Sequence, residues 1–221
     1  MTRNELIQQV ALRMDEVTPD ITIDDLTVDG ADGNPLYVLI DGLVDAGALE
    51  LFSAAPFWRL PQKEFADVII EPLPSLFGAR KVIRLKVADD FLRVAEILCA
   101  DFQRPITEVV PEVSEAGKRQ HNRFLMGKEA KPVGVISHGE WDGVQCREVD
   151  CYSLSPDSPV TLDGISASYI SVPEIIDTVE DTVPVVLIPA LEWLIAARVF
   201  GARGDANHAA ICQQNAQNLL V

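Results

Sequence analysis

Lys81-Val82-Ile83-Arg84-Leu85-Lys86-Val87-Ala88-Asp89-Asp90-Phe91-Leu92-Arg93-Val94-Ala95-Glu96-Ile97-Leu98 is the stretch on which the fold turns. Val82, Arg84 and Lys86 alternate with Ile83, Leu85 and Val87, a two-residue period that sends each set to its own face of a strand. Asp89-Asp90 supplies a turn, and the apolar run after it predicts a second strand. Residues 133–136, 144–154 and 167–172 repeat the pattern, so the middle of the chain is expected to be β-rich. One polar helix, 114–126, interrupts it.

The periods on either side are helical. Thr2-x-x-Glu5 ahead of Leu6, Ile7, Val10, Leu12, Met14 and Val17 has the form of a capping box opening an amphipathic helix that Pro19 ends. Residues 20–34, DITIDDLTVDGADGN, suit an exposed strand or loop. Asn34-Pro35 reads as an N-cap with proline at the first helical position, opening a helix over 35–53 with Leu36, Leu39, Ile40, Leu43, Val44 and Leu51 on its apolar side. Pro56, Pro61, Pro72 and Pro74 divide the next residues into short pieces. From Val183 the chain is helical again, with almost no polar face before Gly201. Asp205 then caps a last helix, 206–220, in which Gln213, Gln214, Asn215, Gln217 and Asn218 are polar but uncharged. The expected architecture is α+β: a helical bundle from the N- and C-terminal segments with an inserted β-rich region, divided as 1–65, 66–178 and 179–221.

Thirty-four acids against eighteen Lys and Arg give a net charge of −16. Gripping nucleic acid as a main task is excluded by that balance, because phosphate neutralisation needs a surplus of bases. The 48% of apolar residues is too rich for an acidic disordered chain. Cys99, Cys146, Cys151 and Cys212 form no C-x-x-C pair, which argues for scattered reduced thiols rather than a zinc ribbon or redox dithiol. Met1-Thr2-Arg3-Asn4-Glu5-Leu6 carries no apolar leader core, so cytosolic synthesis is expected. The apolar run 183–200 contains Glu192, Arg198 and two prolines, and reads as a buried helix rather than a membrane span.

Little in the sequence points to catalysis. His138, Glu140 and Asp142 stand two apart, so an extended strand would offer all three to one divalent metal; Gly139, Trp141 and Gly143 between them favour a polar turn instead. Asp29, Asp32 and Asn34 lack the spacing and closing Glu of a calcium loop. No serine sits in a G-x-S-x-G elbow, and no glycine-rich phosphate loop occurs. The expected protein is therefore not an enzyme and holds no cofactor or metal; a small intracellular hydrolase or metal-binding enzyme built on His138, Glu140 and Asp142 is the alternative, and a monomeric binding module a third.

Two features suit protein contacts. Lys118, Arg119, Arg123 and Lys128 form the one basic cluster, in a chain whose first eighty residues hold fourteen acids against five bases. On a helix, Lys118 would share a face with Asn122, and Arg119 with Arg123. Leu191, Trp193 and Leu194 lie on a helix with so little polar surface that part of it is expected to face water in an isolated subunit, to be covered on assembly. Lys118, Arg119, Arg123, Leu191, Trp193 and Leu194 are the candidate interface.

Three stretches carry a family resemblance. Lys86-Val87-Ala88-Asp89-Asp90-Phe91-Leu92-Arg93-Val94, Arg104-Pro105-Ile106-Thr107-Glu108-Val109 and Pro189-Ala190-Leu191-Glu192-Trp193-Leu194-Ile195-Ala196-Ala197-Arg198 together resemble the neck-ring, or head-to-tail adaptor, proteins of tailed bacteriophages, especially the crAss-like phages. With the last helix they span about residues 80–221. The resemblance implies a structural virion protein, made in the bacterial cytoplasm, that forms a homo-oligomeric, dodecameric ring between the portal protein and a further neck or tail protein. It implies that genomic DNA passes through the ring without specific binding, and that no membrane is involved. Asp90-Phe91-Leu92-Arg93 matches the family's strand-opening turn, a structural role; Ala88 stands where the family pattern has proline. An acidic wall fits such a conduit, since attraction repeated around a ring would stall the DNA.

Overall fold

Alternation in the central stretch is realised on both sides of one strand: Ile83, Leu85 and Val87 are buried in a core, and Val82, Arg84 and Lys86 lie on the opposite face. The computed structural model describes residues 1–17, 35–73, 80–122, 124–155 and 157–220. The readings of 20–34 as strand or loop, of Asn34 as a cap and of Asp29, Asp32 and Asn34 as an acidic turn lie outside these residues. The described chain contains helices α1 (Arg3–Val17), α2 (Pro35–Ala54), α3 (Glu115–Gln120), α4 (Ile188–Ala202) and α5 (Ala206–Leu220). Its strands are β1 (Lys63–Glu64), β2 (Val68–Leu73), β3 (Arg80–Lys86), β4 (Phe91–Cys99), β5 (Val109–Pro111), β6 (Gly134–Trp141), β7 (Val144–Cys151) and β8 (Ile165–Ser171).

The expected helical bundle with a single β-rich insertion is corrected by this arrangement. The protein is α+β with 41% helix and 28% strand, five helices and two separate sheets among the described residues. The expectation treated successive strands as one region. Pairing instead divides them: β3 and β4 are joined by the Asp89–Asp90 turn, yet β3 pairs with β2 and β7 whereas β4 pairs with the distant β8. By its contacts the chain forms two compact units, Met1–Pro61 with Val172–Val221, and Gln62–Ser171.

In the first unit α4 packs against α1, α2 and α5. Residues Ala190 to Ala197 are all buried, because a helix without a polar stripe must be covered on every side. This is the one helical run among the described residues, Val185–Ala202, long and apolar enough to cross a membrane, and most of it is buried within the protein. The capping box forms as its residues predict: the Thr2 N–H donates to Glu5 Oε2 at 2.7 Å and the Glu5 N–H to Thr2 Oγ1 at 3.2 Å. Leu6, Ile7, Val10 and Met14 then make the buried stripe of α1. Arg3 joins α1 to its neighbours, pairing with Asp41 at 2.6 Å and Asp45 at 3.2 Å and donating to the Ile175 carbonyl at 2.6 Å. Glu192, buried on α4, is matched by Arg13 of α1 at 2.9 Å, and Arg198 by Glu50 of α2 at 2.8 Å. Asp205 caps α5 through the His208 N–H at 3.2 Å.

The second unit contains a three-stranded sheet, order β1-β8-β4, and a five-stranded sheet, order β2-β3-β7-β6-β5. One core joins their facing sides, with Ile83, Leu85, Val149 and Cys151 from the larger sheet and Phe91, Val94, Ile97 and Tyr169 from the smaller. The Asp89–Asp90 turn closes with the Phe91 N–H donating to the carbonyl of Ala88 at 3.1 Å, so alanine serves where the resemblance has proline. Asp90 accepts from Lys63 of β1 at 2.5 Å and from the Tyr169 hydroxyl of β8 at 3.0 Å, tying all three strands of the small sheet; the Lys63 ammonium holds its carboxyl below the usual range. Pro72 is accommodated because β2 is an edge strand, where a missing N–H breaks no ladder bond.

Close approach of α2 and α4 depends on Gly47, where an added Cβ would lie 2.5 Å from Ile195 Cγ1. Gly47→Ala is expected to destabilise the protein by about 1–3 kcal/mol through overpacking. Gly42, on the same helix with nothing within 4 Å of its Cβ position, supplies the contrast. Gly42→Ala should stabilise by about 0.5–1 kcal/mol. Urea denaturation of the two variants checks the pair, and equal effects would remove Gly47 as the contact that sets the helix spacing.

Candidate assembly interface

The basic helix is built from its cap inward. Ser114 Oγ accepts the Gly117 N–H at 3.0 Å and donates to the Pro111 carbonyl at 2.6 Å, fixing the start of α3. Buried Gln120 ties down its end, donating to the Ala116 carbonyl at 3.1 Å and accepting the Gly127 N–H at 2.7 Å. His121 sets its ring edge-on to Tyr152 at 5.2 Å, with Nε2 3.6 Å from Glu112.

The predicted helix 114–126 is corrected to six residues, Glu115–Gln120. Asn122 stops it, since its side chain takes the Phe124 N–H at 2.9 Å and so competes with the helical ladder. The helical face shared by Lys118 and Asn122 therefore does not form, and Arg123 lies outside the described residues. Lys118 and Arg119 are exposed, with Arg119 paired to Glu115 one turn earlier. Flanking them in the sequence are three apolar side chains that sequence reasoning missed: Val113, Phe124 and Leu125 are 80%, 79% and 59% exposed. The sequence carries their signal only as apolar residues that fit no period next to a charge run.

Leu191, Trp193 and Leu194 are placed differently from expectation. All three are buried within their own chain. The helices α1, α2 and α5 already cover α4, and the Arg13 guanidinium lies over the Trp193 ring at 5.4 Å. No large patch of α4 is left for a partner, so these residues are core and the water-facing surface expected of them is corrected.

His138, Glu140 and Asp142 fall on a β-hairpin. His138 and Glu140 are exposed on β6, and Asp142 sits in the turn to β7 with φ of 52°, followed by Gly143 at 80°. Two consecutive left-handed residues reading Asp-Gly are what a tight two-residue hairpin requires. Among the described residues no group of three or more His, Cys, Asp or Glu is arranged to hold a metal ion. Three of the four thiols are poor nucleophiles: burial pushes Cys99 and Cys151 upward and Cys212 up to about 11. No protein-family model and no curated protein matches the chain.

The densest ionisable group occupies the outer face of the five-stranded sheet. Glu148 and Asp150 of β7 are 3% and 2% exposed, with Arg84 of β3 at 3.4 and 3.0 Å from them and 3.2 Å from Glu71. The Trp141 indole N–H donates to Glu148 at 3.1 Å and the Tyr152 hydroxyl to Asp150 at 2.9 Å. Gly139 leaves room for the Glu148 carboxyl, which an added Cβ would meet at 2.1 Å. Both carboxyls are satisfied within the sheet and closed to a substrate, which makes the cluster structural.

Burial holds the Glu148 carboxyl above its ordinary 4.5, and the charge of Asp150 adds to this against the opposing Trp141 and Arg84. A carboxyl raised in the folded state binds its proton more tightly there. Its contribution is complete below about pH 4.5 and is lost as pH rises through the folded value. Glu148→Gln keeps an acceptor for Trp141 but does not titrate, so its stability should fall less than that of the wild type between about pH 4 and about pH 7. Urea unfolding at both values checks this, and parallel pH dependences would show that Glu148 does not carry the shift.

Proposed function

We propose that this protein is a structural assembly subunit, a neck-ring adaptor of a tailed bacteriophage that sits in the virion between portal and tail, lines the DNA conduit and catalyses nothing. The observation that carries the reading is the exposure at and around α3, where Val113 before the helix and Phe124 and Leu125 after it stand in water and flank exposed Lys118 and Arg119 in the sequence. Exposed apolar side chains that cluster next to charge mark protein contacts, and apolar anchors with basic neighbours suit an acidic protein surface. The sequence resemblance over residues 86–94, 104–109 and 189–198 supports the same reading and supplies the partners: further copies of the chain, the portal protein and a neck or tail protein. A net charge of −16 suits a channel through which DNA moves without being held.

Native mass spectrometry of the purified chain, alone and mixed with its cognate portal protein, is the test. A multimer, or a stable complex with the portal, is the expected outcome. A species that stays at the monomer mass of 24.2 kDa in both samples would overturn the reading.

A further inference from the structure

We infer that copies of this chain dock head to tail, the α3 patch of one copy on the 172–187 segment of the next. The inference rests on the assembly reading and names the two surfaces that reading leaves open. The first unit carries a patch of opposite character to α3. Ile176, Val185 and Val186 are 67%, 63% and 73% exposed, and Glu174, Asp177 and Asp181 are exposed among them. Residues 172–187 hold four acids and no base, whereas residues 112–131, which span the α3 side chains, hold five bases against three acids, one of which, Glu115, pairs with Arg119.

These apolar side chains do not belong to a loose segment. Ile175, Val179, Val183 and Leu187 are its buried anchors. The Arg3 N–H donates to the Asp177 carbonyl at 3.0 Å, and the Val179 N–H to the Met1 carbonyl at 3.0 Å, fastening it to the start of α1. The Thr182 hydroxyl closes it on itself through the Glu174 carbonyl at 2.9 Å. Ile176, Val185 and Val186 are thus held in water by an ordered backbone, as Val113, Phe124 and Leu125 are held by the α3 contacts.

Charge selects the occupant. A chain of net charge −16 repels its own copies over most of its surface, and the repulsion is weakest where one copy presents bases and the other acids. Each segment carries exposed apolar side chains, and their net charges are opposite in sign, so one copy supplies what the next requires. Two unlike patches on one chain give a heterologous contact, which continues from copy to copy until a rotation closes it into a ring.

Charge exchange tests the pairing. Lys118→Glu with Arg119→Glu, and separately Asp177→Lys with Asp181→Lys, should each weaken self-association by about tenfold or more, since each sets like charges against one another. All four positions are exposed, and circular dichroism is expected to be unchanged. Mixing the two double variants in equal amounts should restore assemblies containing both in equal number, and a chain carrying all four substitutions should assemble by itself. Native mass spectrometry at fixed salt reads these outcomes. Assembly of each double variant as in the wild type, or failure of both the mixture and the fourfold variant to recover, would overturn the pairing while leaving the assembly reading intact. A wild-type chain that stays monomeric with and without the portal would overturn both.

Discussion

Covering α4 on every side is the constraint from which the first unit follows. A helix in which Ala190 through Ala197 are all buried cannot be a surface element, and the segments able to sheathe it come from both ends of the sequence. The apolar stripes of α1 and α2 return to it across the whole intervening unit, and α5 folds back on it directly. Burial alone does not select an alignment for smooth apolar helices. The buried Glu192 needs Arg13, Arg198 pairs with Glu50, and the small Gly47 admits Ile195, so a few polar and steric contacts set how α1 and α2 lie on α4.

Local chemistry was legible in the sequence and remote pairing was not. Thr2 with Glu5 announced the start of α1, Pro35 that of α2 and Asp205 that of α5, since a cap is decided by residues within one turn of it. Alternation over 82–87 correctly divided the side chains between two faces of one strand, but did not say which of them are buried, since Val82 on the face of Arg84 and Lys86 is as buried as Ile83 and Leu85. The same pattern says nothing about partners, and β4 pairs with β8, about seventy residues away, with two register shifts that blur its own period. β2 was hidden by prolines that an edge strand tolerates. The glycines among His138, Glu140 and Asp142 pointed to a polar turn, and the Asp142-Gly143 dipeptide marks where it falls, but the strand β6 that precedes it carries too few apolar residues at its end to announce itself.

The candidate interface divided along the same line. Lys118 and Arg119 were visible as a charge cluster and are exposed. Leu191, Trp193 and Leu194 were visible as hydrophobic excess, but the sequence does not state whether such excess is covered by its own chain or by a neighbour. Here the chain's own helices suffice. The side chains that do stand in water, Val113, Phe124 and Leu125 around α3 and Ile176, Val185 and Val186 before α4, fall in turns, short loops and a single 3-10 turn where no period marks them as unusual. Their exposure is a tertiary property, and before α4 it is fixed by the buried Ile175, Val179, Val183 and Leu187 that anchor the segment.

The split composition of the first unit bears on how the protein is made. On the ribosome α1 and α2 emerge early, but α4 follows only after Gln62–Ser171 has been synthesised. At ordinary elongation rates that interval is on the order of ten seconds, long compared with the folding of a small domain. The second unit is contiguous, so all its strands are available before the first unit can close. Meanwhile Leu6, Val10, Val44 and Leu51 wait in solvent without the helix they are shaped to cover, and the nascent chain presents a ready binding segment to the cell's chaperones for as long as translation of α4 is delayed.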